Sequence, residues 1–202
     1  MTRRASLLVL LSAVACGRPM PPAKTCSPQL GGHASFTFDS TSRGAWYLNT
    51  RFSPTDSVAY GIPVRRLDKT WQAAAAITPA ILPAAATTDS LTSPTANFGF
   101  RIDGDFNHDG HVERAIVGVY RRTTGAEGQF LVILACEMSG AWKPVFLDSN
   151  PVAPTASFLF RQPGDTLEWS DCTACDAPDV QVFWDGTRFV SRWNPASLTT
   201  EE

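Results

Sequence analysis

Residues 112–136 read VERAIVGVYRRTTGAEGQFLVILAC, and this stretch decides the fold class. Residues 112–120 and 130–136 are apolar at both alternating positions, which is typical of a central strand covered on its two faces. Nine residues with two glycines separate the two runs. We therefore expect an antiparallel hairpin at the centre of a sheet.

A second hairpin is expected over residues 180–193. Asp185 and Gly186 separate two strand-like runs, and this dipeptide favours a two-residue type I′ turn. Such a turn would pair Trp184 with Thr187 and Val182 with Phe189. It would also place the apolar side chains of both runs on one face of the hairpin.

The other elements are shorter. Residues 35–38 predict a strand, and residues 142–147 predict another at a sheet edge, because Pro144 has no N–H to donate. Pro63 predicts the start of a helix with Leu67, Trp71 and Ala74 or Ala75 on one face, and prolines after residue 78 would end it.

Composition agrees with one mainly β (α+β) domain, an antiparallel sheet with hairpins and one short helix over residues 33–195. The chain has 202 residues, of which 44% are hydrophobic and 18% charged, with 12 Phe and 6 Trp. This is enough apolar material for a packed aromatic core. The formal charge of −2 provides no basic field, so nucleic acid is not an expected partner.

The N-terminus predicts export and lipid attachment. Arg3 and Arg4 precede an apolar run over residues 5–14 that is too short to span a bilayer, which is typical of a signal peptide over residues 1–15. Small residues then lead into Cys16. This segment resembles a bacterial lipobox, whose cysteine is acylated and becomes the mature N-terminus, although Ala13 stands where Leu is commonest. Ordinary signal cleavage after Ala15 fits the same residues.

The flanking segments follow from this interpretation. Residues 16–32 are rich in Pro and Gly, with one Ser and one Lys, and predict a lipidated flexible tether. Residues 196–202 form a C-terminal tail. The expected location is the cell envelope, with the domain in the periplasm or the extracellular space.

Four cysteines remain in the exported chain, and disulfides are the default in an oxidising compartment. They are Cys26, Cys136, Cys172 and Cys175. Four cysteines allow three connectivities, and we expect the pairs Cys172–Cys175 and Cys26–Cys136.

Residues 105–113 carry the ligand pattern of a calcium loop. Asp105, Asn107 and Asp109 occupy alternating positions one, three and five, and Gly110 allows a sharp turn at position six. The predicted ligands at positions seven and nine are the carbonyl of His111 and the side chain of Glu113. Position twelve is Ile116, so the loop is not an EF-hand.

The surrounding residues resemble one FG-GAP/VCBS-type unit. Phe98-Gly99 precedes the loop, and the strand-like run Glu113-Arg114-Ala115-Ile116-Val117-Gly118 follows it, so the resemblance covers residues 98–120. It implies a calcium site in a β element, and one copy gives no basis for a propeller. His108 stands where Gly is usual, and Glu113 where Asp is usual. The alternative is a polar Asx-rich turn without a metal.

Catalytic alternatives have weaker patterns. Cys172 and Cys175 form a CxxC motif, but the acidic residues around them disfavour a thiolate, so a structural disulfide is the preferred interpretation. His108 and His111 could hold a transition metal, and Asp165 with Glu168 could form a glycosidase pair. We interpret the two histidines as solvent-exposed and the two carboxylates as part of a solvated surface.

The sequence thus favours an exported, non-enzymatic binding or accessory lipoprotein with one structural Ca²⁺ loop. Its expected partners are the membrane, through the N-terminal lipid, and, as a further option, another envelope protein. The alternatives are a cell-envelope enzyme, either a hydrolase or a thiol oxidoreductase using Cys172 and Cys175, and an inhibitor or immunity-type lipoprotein.

Overall fold

A computed structural model describes residues 26, 32–38, 47, 50–82, 97–170 and 179–193. The described strands are β1 (Ala34–Phe38), β2 (Thr50–Pro54), β3 (Val58–Ala59), β4 (Ile62–Pro63), β5 (Trp71–Ala76), β6 (Phe98–Gly99), β7 (Arg101–Gly104), β8 (Glu113–Arg122), β9 (Glu127–Cys136), β10 (Trp142–Asn150), β11 (Phe158–Arg161), β12 (Leu167–Ser170), β13 (Val180–Trp184) and β14 (Phe189–Trp193). A short helix α1 (Val64–Leu67) and a 3₁₀ turn (Pro79–Ile81) lie among them. The fold is therefore mainly β in a single domain, as predicted.

The hairpin expected at the centre of a sheet is confirmed. Strands β8 and β9 pair antiparallel from Glu113↔Ala135 to Arg121↔Glu127. The sheet runs in the order β10-β9-β8-β5, and β7 pairs with the first half of β8. Most side chains of β8 and β9 are buried, so both faces of this central sheet are covered.

One face packs on a second antiparallel sheet, in the order β14-β13-β12-β11-β6. Their shared core contains alternate residues of β8 and β9 together with residues of the second sheet. Its central members are Val117, Leu131, Ile133, Phe158, Leu167 and Phe189. Burial of apolar side chains between the two sheets holds this β-sandwich together.

The opposite face of the central sheet is covered by β3, β4 and α1. A second apolar cluster lies here, in which the rings of Trp71 and Tyr120 stack at 4.4 Å and Trp71 lies 5.2 Å from Phe130. Val64 of α1 and Trp142 of β10 belong to the same cluster.

The short helix predicted after Pro63 is present, but its predicted extension through Trp71 to the alanines is wrong. Helix α1 ends at Leu67, and Trp71–Ala76 is strand β5, paired antiparallel with β8. Asp68 is extended, and its Oδ1 accepts the N–H of Thr70 at 2.7 Å, a local bond that competes with helix continuation. Pairing with β8 buries almost all of this alanine-rich segment, so tertiary packing overrides its helix propensity.

The hairpin over residues 180–193 is confirmed, but its predicted register is wrong by two residues. Trp184 pairs with Phe189, not with Thr187, so the loop has four residues instead of two. The carboxylate of Asp185 accepts the N–H groups of Thr187 and Arg188 at 2.8 and 2.9 Å, and this Asx turn widens the loop. A two-residue shift preserves side-chain alternation, so Val182 and Phe189 are buried as expected.

The predicted edge strand is also confirmed. Strand β10 lies at the end of the central sheet, and its register with β9 shifts between Pro144 and Phe146. Pro144, which has no N–H, thus lies at an irregularity of an edge strand, a position where sheets tolerate proline. The strand expected over residues 35–38 is β1.

Candidate metal centre

The acidic loop connects β7 to β8. Register pairing of Gly104 with Glu113 closes the loop at its base. Phe106 points into the core between the two sheets and is 2% exposed, so it anchors the loop from below. A Cβ on Gly104 would lie 2.8 Å from the ring of Phe106, which explains why this position has no side chain.

Three of the five predicted ligand residues converge. Asp105, Asp109 and Glu113 each place a carboxylate oxygen within 4.8 Å of the other two. Glu113 is 1% exposed, whereas Asp109 is exposed and Asp105 half-buried. The cluster therefore has one buried carboxylate at its floor and two at its mouth.

Asn107 and His111 lie beside Asp109 in the same loop. The amide of Asn107 accepts the Asp109 N–H at 3.0 Å and donates to Asp109 Oδ2 at 3.0 Å. The N–H of His111 donates to Asp109 Oδ1 at 2.8 Å. These bonds fix the orientation of Asp109 within the loop.

The loop backbone wraps around Asp105. The carboxylate of Asp105 accepts the N–H of Asp109 at 3.0 Å and that of Gly110 at 2.9 Å. Gly110 has φ 84°, as expected for the sharp turn, and His108 has φ 59°. A positive φ is a conformation that glycine adopts more readily than a residue with a side chain, so His108 is held in it by the loop.

Burial controls the charge of Glu113. Desolvation raises the pKa of this carboxyl to about 7, the N–H of Phe106 counteracts the rise by donating to Oε2 at 2.9 Å, and repulsion from Asp109 and Asp105 adds to it. Three carboxylates this close together repel one another. A divalent cation bound between them would relieve that repulsion. The donor set, carboxylate and amide oxygens, suits Ca²⁺.

The metal-free protein should lose stability as the pH rises from about 4.5 to about 7. The folded state binds the Glu113 proton more tightly than the unfolded chain, whose carboxyl has its usual pKa of 4.5. Stability from this group is therefore present below pH 4.5 and lost through pH 7, by about 3 kcal/mol at most. Urea unfolding in a chelator across this range measures it. Glu113→Gln should flatten the profile and Glu127→Gln should not; an unchanged profile in Glu113→Gln would contradict the assignment.

Two arginine side chains make contacts with residues in or next to the loop. Arg114 binds Asp103 through two bonds of 2.9 Å, and Arg161 lies 5.6 Å from the centre of the Phe106 ring while bonding Asp165. The ligand pattern in the sequence does not include Phe106 or Arg161. Phe106 could have been identified from the sequence, because it is an apolar residue within a polar loop. Arg161 could not, because only the packing of β11 brings it to the loop.

Asp165 and Glu168, the two carboxyls considered as a glycosidase pair, each contact other side chains. Asp165 bonds Arg161 and lies 3.8 Å from His108, whereas Glu168 accepts from Gln162 at 2.9 Å. Burial, and then Asp179, raise the pKa of Glu168. The two carboxyls thus have different partners, Arg161 for Asp165 and Gln162 for Glu168.

The disulfide expected between Cys26 and Cys136 is present, with the two Cα atoms 5.6 Å apart. Cys16, Cys172 and Cys175 lie outside the described residues, as do the predicted signal peptide and the tail over residues 196–202.

Fold and loop together define a class: a mainly β sandwich domain with an acidic loop at one end of its central hairpin. Comparisons with protein-family models, with curated proteins and with solved structures find no match for this chain. Among the described residues, no helix has the length and apolar character needed to cross a membrane.

Proposed function

We propose that the chain is an exported bacterial lipoprotein, anchored through Cys16, whose domain is a non-enzymatic binding or accessory module with one structural Ca²⁺ loop. The proposal of a calcium site depends on one observation: carboxylate oxygens of Asp105, Asp109 and the buried Glu113 lie within 4.8 Å of one another. The lipobox-like segment ending at Cys16 supports the anchor.

The role of the ion in this proposal is to hold the β7–β8 connection. Asp105 follows β7 and Glu113 begins β8, so a shared cation would link the two strand ends across the loop. Asn107 and the carbonyl of His111 are the remaining proposed ligands. In this proposal the ion has a structural role and takes part in no reaction, as a binding or accessory module requires.

Calcium titration tests the ion site directly. Extracellular calcium modules bind with dissociation constants of about 10⁻⁴–10⁻³ M. A tenfold excess of Ca²⁺ over such a constant should stabilise the domain by about 1.4 kcal/mol and raise Tm by about 3–5 °C. Calorimetry and thermal unfolding with and without Ca²⁺ measure both effects.

The matched variants give the test its specificity. Asp109→Ala and Glu113→Gln should abolish both the heat and the Tm increase. Glu127→Gln also removes one glutamate carboxylate, but at the other end of the β8–β9 hairpin. This variant should leave the binding heat and the Tm increase unchanged. Equal, negligible heats in the unsubstituted protein and in Asp109→Ala would overturn the calcium proposal.

The anchor has its own readout. Mass spectrometry of the mature, unreduced protein should show acyl groups on Cys16, and Cys16→Ala should release the protein from the membrane fraction at high salt, which screens contacts between charged groups and the bilayer. A mature N-terminus at residue 16 without added mass would indicate ordinary secretion instead.

A further inference from the structure

A groove of about 710 Å³ lies on the face of the central sheet opposite the second sheet. Helix α1 and the first residues of β10 form its walls, and the largely buried Trp142 lies at its floor. Four cationic side chains line it: Arg65, Arg66, Lys69 and Lys143. We call this surface the basic groove.

The charge of the basic groove is unbalanced. Its four cationic side chains are exposed, and none of them forms an ion pair within the part of the chain that the structure describes. Glu137 is the acidic residue among those lining it. Four cationic side chains against one acidic residue give the groove a local positive charge, whereas the whole chain has a formal charge of −2. An anionic surface is the chemistry that such a face recognises.

Exposed apolar side chains adjoin the groove. Met138 is 85% exposed and Val112 is 55% exposed, and both line a neighbouring depression together with Gly110 and His111 of the acidic loop. This depression meets the basic groove at Glu137. Large apolar side chains beside cationic ones are typical of a surface that lies at the headgroup boundary of a bilayer.

The disulfide places the chain entering from the N-terminus at this same face. Cys26 is bonded to Cys136, and its Sγ lies 3.3 Å from the carbonyl oxygen of Ala141, a residue lining the groove. Ten residues separate Cys26 from Cys16, which reach at most about 35 Å when fully extended. A lipid on Cys16 would therefore hold this side of the domain near the bilayer.

We propose that the basic groove, with Met138 and Val112 beside it, is the face by which the domain docks on anionic phospholipid headgroups. The tether argument rests on the proposed lipoprotein function, whereas the charge and the exposed apolar residues stand without it. The tether favours a membrane over an acidic protein as the occupant, because it keeps the bilayer within reach of the groove at all times.

Vesicle sedimentation of the mature chain, residues 16–202 carrying Cys16→Ser, isolates the groove from the lipid anchor. This protein should bind vesicles of phosphatidylcholine mixed with phosphatidylglycerol, should not bind phosphatidylcholine alone, and should be released by high salt. Each basic residue near an anionic surface contributes about fivefold to binding, so Arg65→Gln/Arg66→Gln should weaken partitioning about 25-fold.

A matched control removes two arginines from the second sheet. Arg188→Gln/Arg192→Gln changes the same charge on hairpin β13–β14, on the other side of the central sheet, and should alter binding by less than about twofold. Circular dichroism checks that both double variants are folded.

Equal binding to the two vesicle types, or an equal loss in both double variants, would overturn the docking proposal. Binding to a polyglutamate peptide but not to anionic vesicles would overturn it in favour of an acidic protein partner. Because the assay uses unlipidated protein, its failure leaves acylation of Cys16, measured separately by mass spectrometry, unaffected.

Discussion

Removing the Cys26–Cys136 disulfide is expected to lower the free energy of unfolding by about 4–5 kcal/mol. The bond spans 110 residues of sequence, and closing so long a loop removes a large amount of conformational entropy from the unfolded chain. Urea unfolding of Cys26→Ser/Cys136→Ser against the unsubstituted protein measures the loss. The double variant avoids a free thiol, which would complicate the comparison.

The other cysteine pair provides the control. Cys172→Ser/Cys175→Ser would open the much shorter loop of the predicted Cys172–Cys175 disulfide, so its cost should be about 2 kcal/mol. Similar losses in the two double variants would contradict the large contribution assigned to the long loop. Disulfide mapping of the unreduced protein identifies the connectivity independently.

The second large effect is expected from Gly118→Ala in the centre of β8. A Cβ at this position would lie 2.4 Å from the carbonyl oxygen of Ala75 and 2.4 Å from the ring of Phe130. The neighbouring strand backbone cannot move away without breaking its pairing with β8, so one methyl group should cost about 3 kcal/mol or more. Thermal unfolding should show a Tm lower by about 10 °C.

Gly125→Ala is the matched comparison. Gly125 lies in the β8–β9 turn, where a Cβ would meet no atom within 4 Å, and its φ of 85° is the only obstacle to a side chain. The expected cost there is about 1 kcal/mol. A smaller loss in Gly118→Ala than in Gly125→Ala would show that β5 and β8 are not packed as the structure has them.

The central hairpin was predictable because its information is local. Residues 115–120, apart from Gly118, and residues 130–136 are apolar, and short apolar runs that flank a glycine-containing turn are typical of strands covered on both faces. The loop at residues 105–113 is local in the same sense. Its carboxylates lie within nine residues of one another, so a tight turn alone brings them together.

The two wrong predictions, a helix over the alanines of β5 and a two-residue turn at Asp185-Gly186, followed the conformational preference of a short segment, which other contacts override. The alanines of β5 favour a helix in isolation, but pairing with β8 provides them with buried hydrogen bonds and apolar neighbours. In the β13–β14 hairpin, the dipeptide Asp185-Gly186 favours the shorter turn, and the bonds accepted by the Asp185 carboxylate select the longer one.

The sequence by itself determined the mainly β class, the central hairpin and the clustering of acidic side chains between β7 and β8, because alternation and spacing within about ten residues control them. Tertiary structure alone decided which faces meet. The basic groove joins residues 65–69 to Lys143, across a separation at which sequence carries no distance information. Burial of the two faces of the central sheet brings these distant residues together.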